Sequence, residues 1–142
     1  MQTKEFEIEF GPLEFEQTGQ SWKIEHLLGV QAELRITIDG RNWFSEPMFP
    51  VVELAAAANS WLNTGGDFLF ETMEAEESPF LWVRETAQGC LVGAAWRSFS
   101  FDEPLSCPVL RQAFSGFVSE VILSAKEQLG VDVTDIVYER TT

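Results

Sequence analysis

The segment LGVQAELRITIDGRNWF, residues 28–44, carries the clearest β-hairpin pattern in the chain. Its apolar side chains share one parity and its polar side chains share the other, which is the period of a strand with one buried face. The apolar set is Leu28, Val30, Ala32, Leu34, Ile36 and Ile38. Asp39 and Gly40 then favour the positive φ angles of a two-residue type I′ turn, so that Arg41 to Phe44 returns as a second strand. The segment predicts an antiparallel hairpin.

Other strands are predicted on both sides of this hairpin. Residues 4–10 alternate between Glu and apolar side chains and predict an opening strand. Residues 68–73, 79–86 and 90–101 predict three antiparallel strands joined by short polar links. Residues 131–139 resemble a final strand.

Two helices complete the predicted order of elements. Apolar residues at three- and four-residue steps predict a helix that starts at Pro50 and ends at Gly65-Gly66. A second apolar stripe starts at Ser106 or Cys107, just before Pro108, and ends at Gly130. Residues 1–142 therefore predict a single α+β domain, with a mainly antiparallel sheet of five to six strands and two helices packed on one face.

The charge of the chain is strongly negative. It has 23 Asp and Glu against 9 Lys and Arg, a formal net charge of -14 at pH 7. Because 45% of the residues are hydrophobic, the chain is globular in composition and its charge must lie on the surface. This sign disfavours direct binding to nucleic acid and to anionic membranes. It suits a protein that needs solubility or that attracts a cationic partner.

Residue types that commonly carry chemistry are scarce. His26 is the one histidine and has no second His or Cys at a ligand spacing. Asp132 and Asp135 lack the pattern of a calcium loop, and no nucleophile-elbow or phosphate-loop motif occurs. Cys90 and Cys107 have no CxxC spacing and are interpreted as reduced thiols. With neither a leader nor a membrane span indicated, we expect a non-catalytic cytoplasmic protein with no metal and no cofactor.

The acidic residues are densest in DFLFETMEAEE, residues 67–77, which contains no base. Its carboxylates belong to Asp67, Glu71, Glu74, Glu76 and Glu77. Because residues 74–78 are predicted to form a turn, the carboxylates of Glu74, Glu76 and Glu77 should project together from one rim and steer a cationic protein. The alternative is that they only keep a loop hydrated. Trp82 joins this candidate surface, because both parities of residues 80–83 are apolar. If one parity faces the helices, the other is left to face either a partner or a second layer. Trp61, on the first helix stripe, is expected in the core.

In size, acidity, α+β pattern and lack of catalytic groups, the chain resembles the small acidic immunity proteins of bacterial toxin and contact-dependent inhibition systems. Proteins of that class bind a cognate toxin domain, often a basic nuclease, and block its active site or substrate surface. The resemblance implies an inhibitor that acts by occlusion, and it assigns no residue roles. Two other functions stay open. One is an acidic adaptor or nucleic-acid mimic, and the other is an enzyme or small-ligand domain with a pocket lined by Trp82 and Trp96.

Overall fold

Six strands and three α-helices are formed by the residues that a computed structural model describes, namely 5–14, 30–70, 81–94, 97–99 and 101–139. The elements, in chain order, are β1 (Phe6–Phe10), β2 (Ala32–Ile38), β3 (Arg41–Phe49), α1 (Val51–Thr64), β4 (Phe68–Phe70), β5 (Leu81–Thr86), β6 (Gly89–Ala94), α2 (Cys107–Ser124) and α3 (Thr134–Glu139). A π-helical turn, Ala125–Leu129, continues α2. The predicted α+β class is confirmed.

The predicted hairpin is present as β2 and β3, which form the first sheet together with β1. The strand order is β1-β2-β3, and both pairs are antiparallel. Asp39 and Gly40 have φ angles of 54° and 81°, as the turn between two right-twisted strands requires. Leu34, Ile36 and Ile38 are fully buried, so the alternation in β2 correctly identified its core face.

The second sheet contains β4, β5 and β6, in that order and antiparallel. The described strands therefore form two three-stranded sheets, and one sheet of five to six strands is not confirmed. Alternation shows that a segment has one buried face, but it does not show which strands pair when a helix separates them. Here α1 lies between β3 and β4, and β4 pairs with the later strand β5.

The helices cover the sheets as amphipathic elements, with the predicted end signals in place. Ser106 is the N-cap of α2, and its hydroxyl accepts a hydrogen bond from the Val109 backbone N–H at 3.4 Å. Gly65 ends α1 with a φ of 77°. The helix α1 packs against both α2 and α3, and α2 also packs on β1. No helix in the described part of the chain has the length and apolar character needed to cross a membrane.

The prediction of a final strand over residues 131–139 is wrong, because Thr134–Glu139 forms the helix α3. Val133 and Val137 are both buried, four residues apart, and the Val137 N–H donates to the Val133 carbonyl at 3.0 Å. The Asp132 carboxylate accepts a hydrogen bond from the Thr134 backbone N–H at 2.9 Å. The hydrogen bonds from the Thr134 hydroxyl and backbone N–H hold the pKa of Asp132 below its ordinary value. The Asp132–Thr134 hydrogen bond and packing on α1 thus outweigh the alternation of apolar residues that predicted a strand here.

The interpretation of Cys90 and Cys107 as reduced thiols is also wrong, because they form a disulfide with their Cα atoms 5.3 Å apart. Cys90 lies in β6, and Cys107 is the first residue of α2. Cys90 and Leu105 exchange two backbone hydrogen bonds of 2.8 Å, which brings the start of α2 to the strand. Disulfides are rare in reducing compartments, so the cysteines no longer support the prediction of a cytoplasmic protein.

Candidate partner-binding groove

A groove with a volume of about 430 Å³ lies between α1 and β4. One wall is a stripe of α1 that includes Glu53, Ala57, Ser60 and Thr64, and the other wall is the four consecutive residues Asp67 to Phe70. Successive side chains of a strand point to opposite faces. A cavity that touches all four residues in a row therefore follows the edge of β4 rather than one face of the sheet.

The charge inside the groove is negative. Its described lining contains two carboxylates, Glu53 and Asp67, and no Lys or Arg side chain. Glu53 lies in the first turn of α1, where the helix dipole favours a carboxylate. Asp67 is exposed, and its Oδ1 accepts a hydrogen bond from the Glu85 backbone N–H at 2.9 Å, which fixes it against β5. The groove thus adds a local negative field to a chain that is already strongly acidic.

The floor of the groove is aromatic and held in place. Trp61 and Phe68 are buried with ring centroids 5.4 Å apart. The Trp61 indole N–H donates to the Gly66 carbonyl at 2.9 Å, and the Arg111 guanidinium lies 4.9 Å from the Trp61 ring centroid. The Arg111 charge is itself 3.7 Å from the Glu85 carboxylate. The prediction that Trp61 belongs to the core is confirmed, and this rigid floor gives the groove a preformed shape.

An apolar row lies next to the groove on the outer face of the second sheet. Leu69 is 61% exposed, and its cross-strand partner Trp82 is half-buried. Trp82 in turn is opposite Gly93, and a Cβ at Gly93 would overlap the Trp82 indole, so the ring lies directly over this glycine. The Arg84 guanidinium lies 5.4 Å from the Trp82 ring centroid. Exposed apolar side chains that adjoin an acidic groove are the composition of a binding surface.

The structure brings together part of the predicted acidic surface. Asp67 lines the groove, and Trp82 lies one strand away from it. The remaining predicted partner residues lie outside the described residues; they are Glu71, Glu74, Glu76 and Glu77. His26 and Trp96, considered for chemistry and for a pocket, also lie outside them.

Two residues of the groove were missed by reasoning from the sequence, Glu53 and Leu69. A signal for Glu53 existed, since it is the one charged residue in the nearly apolar stretch from Met48 to Leu62. Leu69 had no such signal, because its neighbours Phe68 and Phe70 are equally apolar. Within the described ranges, no three His, Cys, Asp or Glu side chains converge on a point where they could hold a metal ion.

Comparison with known proteins gives a family but no function. A family model described as a domain of unknown function (DUF7878) matches residues 5–124, a range that runs from β1 to the end of α2 and includes the groove. No curated protein and no solved structure matches the chain.

Proposed function

The chain belongs to this family of domains of unknown function, and we propose that it is a non-catalytic binding protein that neutralises a basic partner. The observation that carries the proposal is the preformed groove between α1 and β4, whose lining includes Glu53, Asp67 and the exposed Leu69. Long-range attraction by an acidic surface raises the association rate. Desolvated apolar contacts then slow dissociation.

The inhibitor would act by occlusion. We propose an immunity protein whose partner is a cognate bacterial toxin domain, with a basic nuclease as the best fit to a net charge of -14. A nuclease must carry positive charge where it holds phosphates, and a carboxylate-lined surface is complementary to that charge. Covering the substrate surface then needs no catalytic group on the inhibitor. A cytoplasmic site of action belongs to this proposal and stays a prediction.

A second candidate, binding of a small cationic ligand, is favoured by the volume of the groove. About 430 Å³ falls within the range of small-molecule sites, and its aromatic floor with two carboxylates suits an organic cation. The two functions separate experimentally, because a ligand-binding domain would yield no stoichiometric protein partner at low or high salt.

Neutralising the two groove carboxylates is expected to weaken partner binding. Glu53→Gln with Asp67→Asn keeps the shape of both side chains, and the asparagine oxygen can still accept the Glu85 N–H. We expect Kd for the basic partner to rise about 10- to 100-fold, since replacing a charged hydrogen-bond acceptor by a neutral one costs roughly 1 kcal/mol at each of the two positions. The partner is first identified by affinity capture and mass spectrometry, and Kd is measured by titration calorimetry.

The matched control removes the same charge elsewhere. Glu7→Gln with Glu9→Gln changes two exposed carboxylates on β1, in the first sheet. If the groove variant raises Kd at least several times more than the control does, the result supports the groove as the binding site. Equal effects would mean that only the overall charge matters, and an unchanged Kd in the groove variant would remove the groove from the interface.

The acidic segment after β4 gives a separate kinetic prediction. Reversing Glu74, Glu76 and Glu77 to Lys is expected to slow association with the partner at low salt and to flatten its salt dependence, because steering by surface charge acts mainly on the association rate. Stopped-flow mixing at several salt concentrations measures both quantities. An unchanged association rate at low salt would show that this segment takes no part in the encounter.

A further inference from the structure

We propose that the groove binds an extended segment of the basic partner, which adds to the second sheet as a strand beside β4. The inference rests on the proposed function and deepens it by stating the form and the side-chain pattern of the partner segment. An added strand draws its affinity from backbone hydrogen bonds and its specificity from alternate side chains.

Among the described residues, none pairs with the outer edge of β4. β4 is the outermost strand on one side of the order β4-β5-β6. Apart from its ladder with β5, no backbone hydrogen bond joins Phe68, Leu69 or Phe70 to another described residue. A strand edge presents a row of N–H and C=O groups that can template a new strand. The groove runs along this same edge, because all of Asp67 to Phe70 line it.

The opposite wall leaves room for a polypeptide backbone. Three of the six α1 residues that line the groove, Ala56, Ala57 and Ser60, have small side chains, and they lie together between Glu53 and Trp61. Bulky residues on this stripe would close the space beside the strand. The exposed edge and the small-residue wall together form a slot for a chain in extended conformation.

Charge and register define the partner segment. The side chains of Asp67 and Leu69 lie on the same face of the strand, whereas Phe68 and Phe70 are buried on the other face. Cross-strand neighbours lie about 4.5–5.5 Å apart and select complementary side chains. The partner residue opposite Leu69 should therefore be apolar, and the one opposite Asp67, two positions away, should be Lys or Arg. The residue between them faces α1 and should be small.

The probe for this pattern is an end-capped seven-residue peptide, TKAVAKT, added to the uniformly ¹⁵N-labelled full chain. Peptide at about 1 mM is expected to slow hydrogen exchange about tenfold at a β4 amide that pairs with the peptide. The reason is that, near saturation, only about a tenth of the protein molecules have no peptide bound. Amides of β1 that exchange by local opening serve as the internal control and should keep their exchange rates. TKPVPKT, in which proline prevents a continuous ladder, and the acidic TEAVAET should give no protection.

Ala57→Arg is the blocking variant. Ala57 lines the groove and is partly buried at the edge of the core, so a long side chain at this position would fill the slot. The new guanidinium can pair with Glu53 one turn earlier, which supports the helix. We expect the peptide to lose its protective effect while the variant still unfolds cooperatively, which shows that the loss does not come from unfolding. Ser115→Arg, at an exposed position of α2, adds the same charge and should leave the protection intact.

The outcomes separate the two proposals. If the captured partner binds wild type but binds Ala57→Arg equally well, strand addition is overturned and the proposed function stands. Peptide binding without protection in β4, or no peptide binding at about 1 mM, also overturns strand addition. A wild-type dimer in sedimentation that Ala57→Arg abolishes would overturn it in favour of pairing between two copies. If no basic partner is recovered at all, the proposed function itself fails.

Discussion

Phe114→Ala is expected to lower the free energy of unfolding by about 3–5 kcal/mol, the usual cost of removing a fully buried aromatic side chain. Phe114 is 1% exposed and lies in α2. Its ring centroid is 5.9 Å from that of Phe6, 5.4 Å from that of Trp61 and 5.6 Å from that of Phe68. One side chain thus connects the first sheet, α1 and the second sheet, and its removal leaves a cavity between them.

Equilibrium unfolding in urea measures this effect. Phe114→Leu, which keeps most of the apolar volume, should cost only about 1–2 kcal/mol. Ser115→Ala, at the exposed neighbouring position, should change stability by less than about 0.5 kcal/mol. A loss below about 1 kcal/mol for Phe114→Ala would contradict the packing of both sheets on one aromatic cluster.

Removing the disulfide is expected to cost about 3 kcal/mol, through Cys90→Ala combined with Cys107→Ala. The bond joins residues separated by 17 positions, and cross-linking a loop of this length restricts the unfolded chain. It also holds the segment before α2 against β6, where Leu105 and Cys90 exchange backbone hydrogen bonds. Because these backbone hydrogen bonds can form without the disulfide, the loss of stability should come mainly from the greater conformational freedom of the unfolded chain.

A reductant provides the control for this prediction. Dithiothreitol should destabilise the wild type by a similar amount and leave the double variant unaffected. Mass spectrometry after alkylation under denaturing, non-reducing conditions should find no free thiol in the wild type. Two alkylated cysteines in protein taken directly from host cytoplasm would show that the bond is not formed there.

The sequence was most reliable where a residue's local chemistry determines the backbone. Asp39 and Gly40 adopt the predicted positive φ angles because few other residue pairs tolerate them. Ser106 caps α2 because its hydroxyl can reach the N–H of a residue three positions on. These signals are contained within a few residues, so no tertiary information is needed to interpret them.

Features that depend on contacts between distant segments were not predictable. The buried pattern of Val131 and Val133 suits a strand, but the following residues form a helix that packs on α1 and begins beside the Asp132 hydrogen bond. The spacing of Cys90 and Cys107 did not indicate that the first residue of α2 lies against β6. The second sheet was predicted strand by strand, but its separation from the first sheet was not.

In the candidate site, too, the sequence identified residues with a local signal and missed those whose role depends on distant contacts. Asp67 stands out as the start of the most acidic segment of the chain. Glu53 gains its significance only because α1 faces β4 across the groove, which brings it into a common cavity with a residue 14 positions later. Leu69 is noteworthy because it is exposed, and an apolar triplet such as Phe68 to Phe70 does not reveal which member faces solvent.

Quantitative affinity capture from the native host with three tagged baits tests the central claim most directly. The baits are the wild type, the groove variant Glu53→Gln with Asp67→Asn, and the control Glu7→Gln with Glu9→Gln. We predict that one basic protein is recovered in stoichiometric amount at low salt by the wild type and the control, and that the groove variant loses most of it. Equal recovery by all three baits, or no protein partner for a folded and abundant wild type, would contradict the assignment of the groove as a binding site for a basic protein.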